Sequence, residues 1–201
     1  MIVIVVTGGI GSGKSEACTF LSEEYGMPVY CADRMVKELY VKSPDLLMSI
    51  ENELGTVFRN DDGTFSPSAL AKVIFSDPSA LAKVESLVFP LLTEDFSRWK
   101  QEHSGYKHVI LESATILEKP QLKDLGDITL LIDAPVGIRA ERAARRDAAD
   151  IADVMKRMMA QPVMNDVSDG IIDAPADFVI VNDSTVAALH LKLRKFAENL
   201  V

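Results

Sequence analysis

The sequence predicts an α/β protein: a five-stranded parallel sheet flanked by helices and interrupted by helical insertions. Three observations carry that reading. Continuous apolar runs, ended by polar or small residues, recur at residues 2–6, 28–31, 108–111, 128–132 and 178–181. Runs without strict alternation are the signature of strands buried on both faces. Segments of helical periodicity lie between them, the alternation that builds a parallel sheet. The spacing is uneven: about twenty residues separate the first two runs, enough for one crossover helix, whereas more than seventy separate the second from the third. A helical subdomain is therefore inserted there.

The first run, "IVIVV", leads directly into "TGGIGSGKSEA". Gly8-x-x-x-x-Gly13-Lys14-Ser15 fits the Walker A pattern, with a strand before it and the helical "SEACTFLSEEY" after it. Glycines let backbone N–H groups turn inward around an oxyanion, and the following helix adds its N-terminal partial charge. Lys14 then reaches the β- and γ-phosphates of a nucleotide, and the Ser15 hydroxyl helps hold Mg²⁺. The fold expected is thus of the P-loop NTPase type. A dinucleotide-binding reading fails on register, since no third glycine stands where G-x-G-x-x-G needs it from Gly9 or Gly11.

Within the long insertion, "SALAKVIF" and "SALAKVESLVFPLLTEDFSRWKQEH" are helical. Leu81, Val84, Leu87, Val88, Leu91, Leu92, Phe96 and Trp99 form one stripe, and Pro90 is expected to bend or break it. The repeated "SALAK" is too short to mean duplication. "RNDDGTF" is a turn signal. A second insertion, "VGIRAERAARRDAADIADVMKRMMAQ", lies between the fourth and fifth runs and reads as a helical lid. The last segment, "STVAALHLKLRKFAENL", is an amphipathic helix with Asp183 or Ser184 as its N-cap.

Composition narrows the function. The chain has 201 residues and a net charge of −9, which argues against general nucleic-acid binding, because phosphate backbones are held by clustered Lys and Arg. A small phosphorylated ligand needs only a local positive pocket. The longest apolar runs fall short of the ~18 residues of a spanning helix, and the N-terminus lacks the basic region of a signal peptide. No membrane association and a cytoplasmic location are expected. Cys18 and Cys31 have no disulfide-framework or metal-ligand pattern and read as buried small residues.

Other side chains are placed by the predicted sheet. Asp33 follows the second strand at its carboxyl edge, the same edge as the glycine loop, where a carboxylate can take the proton of an acceptor hydroxyl; the alternative is a helix N-cap for "RMVKELY". Glu112 and Asp133 each end a buried strand as a Walker-B acid would, and compete to order a Mg²⁺-bound water; an ordinary helix cap is the other reading of each. Arg139, Arg142 and Arg146 follow i, i+3, i+7 spacing and share a helix face that can close over triphosphate charge, unless they form a solvated face paired with Glu141 and Asp147. His103, His108 and His190 are scattered and support no role. No Asn-Lys-x-Asp or Asp-x-x-Gly sequence occurs, which disfavours a Ras-like GTPase.

With these residues in hand, the chain resembles the dephospho-CoA kinase family nearly end to end. The resemblance is carried by "VTGGIGSGKS", "VYCAD", "DDGTF…SALAKVIFSDPSALAKVESLVFPLL", "ESATILE", "IDAPVGIRAERAARRD", "RMMAQ" and "ADFVIVND", in this order. It implies a P-loop kinase core over residues 1–31, 106–135 and 175–201, a helical CoA- and acceptor-binding insertion over 32–105, and a lid with return segment over 136–174. It implies transfer of the ATP γ-phosphoryl group to the ribose 3′-hydroxyl of dephospho-CoA. By position, Gly9, Ile10, Gly11, Ser12, Gly13, Lys14, Ser15 and Glu16 hold ATP and Mg²⁺, with Ser15 the metal residue. Asp33 is the base, Arg142 meets transition-state charge, Arg146 is its lid companion, and Asn182 lies near the adenine.

The chain departs from the family pattern at Pro67, where an arginine is usual, at Phe89, where a histidine is usual, at Arg139, often glutamine, and at Glu16, often threonine or serine. Pro67 and Phe89 put acceptor recognition in question. They leave open a kinase with a changed acceptor, or a relative that binds nucleotide or CoA and regulates a partner without catalysis. Glu16 would repel phosphates if it faced them, but on the first helical turn an outward carboxylate favours the helix dipole. The sequence does not fix an oligomeric state.

Overall fold

The computed structural model describes residues 1–168 and 173–200. The expected lid span loses residues 169–172, and the expected core loses residue 201, to the segments outside that description. The chain forms two compact units, Met1–Cys31 with His103–Val201, and Ala32–Glu102.

The first unit is a sheet of β1 (Ile2–Thr7), β2 (Val29–Cys31), β3 (His108–Glu112), β4 (Ile128–Asp133) and β5 (Phe178–Val181), ordered β2-β3-β1-β4-β5. Every pairing is parallel, with Val6 opposite Glu112 on β3 and opposite Leu130 on β4. All five apolar runs become strands. The central one is apolar throughout because both its faces are covered: Val3, Ile4, Val5 and Val6 are all buried.

Helix α1 (Lys14–Tyr25) follows the glycine loop. Its Ala17, Cys18, Phe20 and Leu21 pack with Ile4, Val6, Ile110, Leu130, Ile132 and Ile180 of the sheet and with Leu189, Leu193 and Phe196 of the C-terminal helix, designated below as α9. Cys18 is a buried core residue as expected, and burial pushes its thiol well up from the usual range. Cys31 differs from expectation: at the end of an edge strand it is only half-buried.

The second unit contains α2 (Ala32–Lys42), α3 (Pro44–Leu54), α4 (Pro67–Ser76) and α5 (Pro78–Glu102). Its core is Leu46, Leu47, Ile50, Phe58, Leu70, Val84 and Val88. Helix α5 runs unbroken through Pro90. The apolar stripe on both sides of the proline is buried at Val84, Val88, Leu92 and Phe96, and that burial outweighs the one backbone bond a proline removes. The "RNDDGTF" turn closes with Arg59 and Phe65 bridged antiparallel and Gly63 at φ +81°. Helix α2 begins at Ala32, so Asp33 sits inside its first turn and is not its cap.

Back in the first unit, two 3₁₀ turns (Ile116–Glu118 and Pro120–Leu125) follow β3, and α6 (Val136–Asp147), α7 (Ile151–Met159) and α8 (Pro162–Ser168) follow β4. The final helix, α9 (Val186–Glu198), is capped by Thr185, whose side chain accepts from Ala188 N–H. The cap thus lies one residue beyond Ser184, because Thr185 already has extended backbone geometry. Among the described residues no helix is long and apolar enough to cross a membrane.

Leu21 is fully buried between α1, the sheet and α9. Leu21→Ala is expected to cost about 2–5 kcal/mol in urea unfolding followed by circular dichroism; a loss well below that range would mean the site collapses to fill the hole.

Candidate active site

The turn between β1 and α1 is built by left-handed backbone. Gly11 has φ +77° and Gly13 φ +101°, conformations that side-chain-bearing residues rarely adopt. A Cβ on Gly11 would lie 2.1 Å from the Arg139 carbonyl oxygen, and one on Gly13 would lie 2.3 Å from Asn182 Nδ2. Two glycines are therefore required by neighbours far along the chain as well as by φ. Lys14 opens α1 directly after the turn, so the loop amides and the helix N-terminus converge on one spot.

That spot is an open cleft of about 190 Å³, lined by Gly9, Gly11, Gly13, Lys14, Ser15, Arg142 and Arg146, with Ser12 and Ala143. The predicted loop residues other than Ile10 and Glu16 are thus brought together with Arg142 and Arg146. Arg142 donates from Nη1 to Asn182 O at 3.0 Å and from Nη2 to Ser184 O at 3.2 Å. Both partners are neutral carbonyls, so its positive charge persists at the cleft. Arg146 is engaged by Asp147 at 2.7 Å, which also receives Arg157 at 2.7 Å. These two guanidiniums hold the Asp147 carboxyl well below the usual carboxylate range.

Of Glu112 and Asp133, strand order brings Glu112 beside the loop. β3 is the neighbour of β1, and Glu112, 8 % exposed, accepts a 2.7 Å hydrogen bond from Ser15 Oγ. Asp133 ends β4, and its carbonyl accepts from Asn182 N–H. A hydroxyl and a carboxylate side by side at the end of the loop are hard oxygen donors of the type Mg²⁺ takes, with phosphate and water supplying the remainder. They are the residues that would hold it.

Arg139 is a correction. It shares a helix face with Arg142 and Arg146, but its side chain is fully buried beneath the loop, where Nε donates to Ile10 O at 3.2 Å and the guanidinium packs on Gly9. It therefore cannot close over phosphates from outside. Asn182, 7 % exposed, donates from Nδ2 to Ser12 O at 2.8 Å. Glu16 turns away from the cleft: its carboxylate meets His190 Nε2 of α9 at 2.8 Å, and that ring stacks on Phe20 with centroids 4.2 Å apart. His190, without a role in the sequence, thus anchors the first turn of α1. Asp33 belongs to the second unit, two residues past the end of β2.

One residue stands in a quoted stretch of the sequence, "RMMAQ", without a role assigned to it. Gln161, 4 % exposed, accepts from Ile10 N–H at 2.9 Å and donates from Nε2 to Ala114 O at 3.1 Å. A glutamine between two methionine-rich helical turns and Pro162 was the available signal, and nothing local says what it touches.

A family model described as dephospho-CoA kinase matches residues 2–188. A dephospho-CoA kinase of Chlorobaculum tepidum is 31% identical over 206 residues, covering 100% of this chain and 95% of that protein. One of Porphyromonas gingivalis is 34% identical over 182 residues, covering 90% and 86%. Among solved structures, a Thermus thermophilus protein superposes with a TM-score of 0.80 at 27% identity, covering 100% of this chain and 98% of that one. The shikimate kinase of Acinetobacter baumannii, at 16% identity and a TM-score of 0.55 over 99% and 94% of the two chains, shares the fold.

Gly11→Ala is expected to weaken ADP binding at least ~ten-fold in a calorimetric titration, because the methyl group must displace the Arg139 backbone; unchanged affinity would show that the loop yields at no cost. The depressed Asp147 carboxyl favours the folded state in full above the ordinary carboxylate pKa of ~4, and that contribution fades as pH falls from there toward the lowered folded value. Asp147→Asn is accordingly expected to lower the melting temperature at pH 7, with the gap to the parent narrowing below about pH 4. A gap that widens in acid would reverse the assignment.

Proposed function

We propose a phosphoryl transfer worked by the glycine loop, on the premise that the chain belongs to the dephospho-CoA kinase family. The chain is an ATP-dependent kinase, and its acceptor is dephospho-CoA. The observation that carries the division of labour is the loop itself, with Lys14 at its end and Ser15 Oγ on Glu112.

The loop amides other than those of Ile10 and Ser12, which are bonded within the protein, and the N-terminus of α1 receive the phosphates of ATP, and Lys14 meets the β- and γ-phosphates. Glu16 contributes its backbone, since its carboxylate is engaged by His190. Bound Mg²⁺, held by Ser15 with Glu112 ordering its water, would neutralise charge on the β- and γ-phosphates. Arg142 lines the same cleft as the loop and stabilises charge on the moving phosphoryl group, and Arg146 swings from Asp147 to the same phosphates as a second cation. Asn182 lies near the adenine and fixes the loop beneath it.

Asp33 takes the proton of the ribose 3′-hydroxyl as that oxygen bonds to the γ-phosphorus and the bond to the leaving ADP breaks. Its place two residues beyond the carboxyl end of a parallel strand supports the role. Residues 136–174 act as the lid that excludes water, so that ATP is not hydrolysed, and residues 32–105 receive the acceptor. There Pro67 is the first residue of α4, a position proline fills without loss of a bond, and Phe89 is half-buried on α5. Other groups of the unit then read the acceptor.

A coupled assay of ADP release with dephospho-CoA, and with nucleoside monophosphates as competitors, tests the reading. Dephospho-CoA is expected to be the substrate that supports turnover. Asp33→Asn is expected to lower kcat by about 10²–10⁴ while ADP affinity stays as in the parent; retained turnover would remove Asp33 from the base role.

A further inference from the structure

The peptide unit at Ile10 is held by both of its polar groups. Its N–H is taken by Gln161 Oε1 at 2.9 Å, and its C=O by Arg139 Nε at 3.2 Å. Both side chains are buried, and both come from the segment between β4 and β5. Gln161 is in turn fixed by donation to Ala114 O, just after β3, and its own carbonyl accepts from Asn165 N–H of α8 at 3.1 Å. The side chain of Ile10 packs against Val154 and Met158 of α7 and Ala140 and Ala143 of α6. The tip of the phosphate loop is thus seated in the α6–α8 segment.

We infer that Gln161 is a positioning residue for the nucleotide: it takes the Ile10 N–H out of the set available to phosphate and fixes the orientation of that peptide, so that the amides of Gly11 and Gly13 are presented pre-formed, while the Ser12 N–H closes the turn onto Gly9 O at 3.0 Å. The physical reason is conformational entropy. A glycine-rich turn samples many backbone states, and each peptide locked before binding removes an ordering cost that the ligand would otherwise bear. Fixing one peptide through a buried amide that spans Ile10 and Ala114 also couples the loop to the lid segment, so a shift of α7 is felt at the phosphates. Gln161 touches no phosphate and acts only through the loop. The proposal rests on the kinase reading for its ligand, but not for its geometry.

The test uses the full chain with Gln161→Met, which keeps the volume and removes both hydrogen bonds. Gln161→Asn, which keeps the amide but shortens its reach, serves if the first variant does not fold. Two readouts are taken. Amide hydrogen exchange of Ile10 is expected to accelerate at least ~ten-fold in the variant while the β1 amides keep their protection, as loss of one buried bond requires. ADP affinity by titration is expected to fall roughly five- to ten-fold, with KM for ATP raised by a similar factor and KM for the acceptor unmoved. An Ile10 amide as protected as in the parent, or ADP affinity within two-fold of the parent, would overturn the positioning role. If the parent protein fails to bind ADP, the kinase reading falls, and hydrogen exchange at Ile10 alone then judges whether Gln161 holds the loop.

Discussion

Between β1 and α1 the backbone is pressed against its surroundings closely enough that no side chain fits at Gly11 or Gly13, and the groups that press on it come from distant parts of the chain. Arg139 supports it from below, Gln161 holds the tip, and Asn182 holds the carbonyl of Ser12. A loop of small residues would otherwise be a mobile connection. Here it is a fixed set of donors, and fixed donors stabilise phosphate charge without reorganising when the charge arrives. The core of the first unit, the parallel order of its strands and the seating of α6 to α9 all serve to bring those supports to the loop.

The strand order has the same consequence for the acid beside the loop. Because β3 and not β2 lies next to β1, Glu112 ends one pairing away from Ser15 and receives its hydroxyl, whereas Asp133 ends β4 on the other side of β1. Charge follows a similar logic in an acidic protein. Arg142 is held by carbonyls and keeps its charge at the cleft, while Arg146 is neutralised by Asp147 until a stronger anion competes. The second unit carries its own apolar core around Ile50, Phe58 and Val88.

Much of this was legible in the sequence, for physical reasons that differ by residue. The strands at 2–6 and 108–111 could be read because burial on both faces leaves a continuous apolar run. The glycine loop could be read because phosphate is bound by backbone, and backbone conformation is written in local residue types. Pro90 misled because a local penalty was weighed without the tertiary burial that overrides it. The cap falls on Thr185 and not on Asp183 or Ser184 because the side-chain chemistry of all three suits a cap, and only the backbone angle selects one. The contacts of Gln161, Asn182 and His190 join residues 151, 170 and 174 positions apart, and a single sequence holds no record of such pairings. Arg139 has spacing that puts it on one face with Arg142, whether lid or solvated, and only its full burial, which depends on distant packing, sets it apart.

The fate of the γ-phosphorus tests the central claim most directly. Phosphorus NMR of the purified protein with ATP, Mg²⁺ and dephospho-CoA is expected to show a new phosphomonoester resonance on the acceptor ribose growing in step with ADP. Loss of ATP to ADP and inorganic phosphate, with the acceptor unchanged, would contradict it.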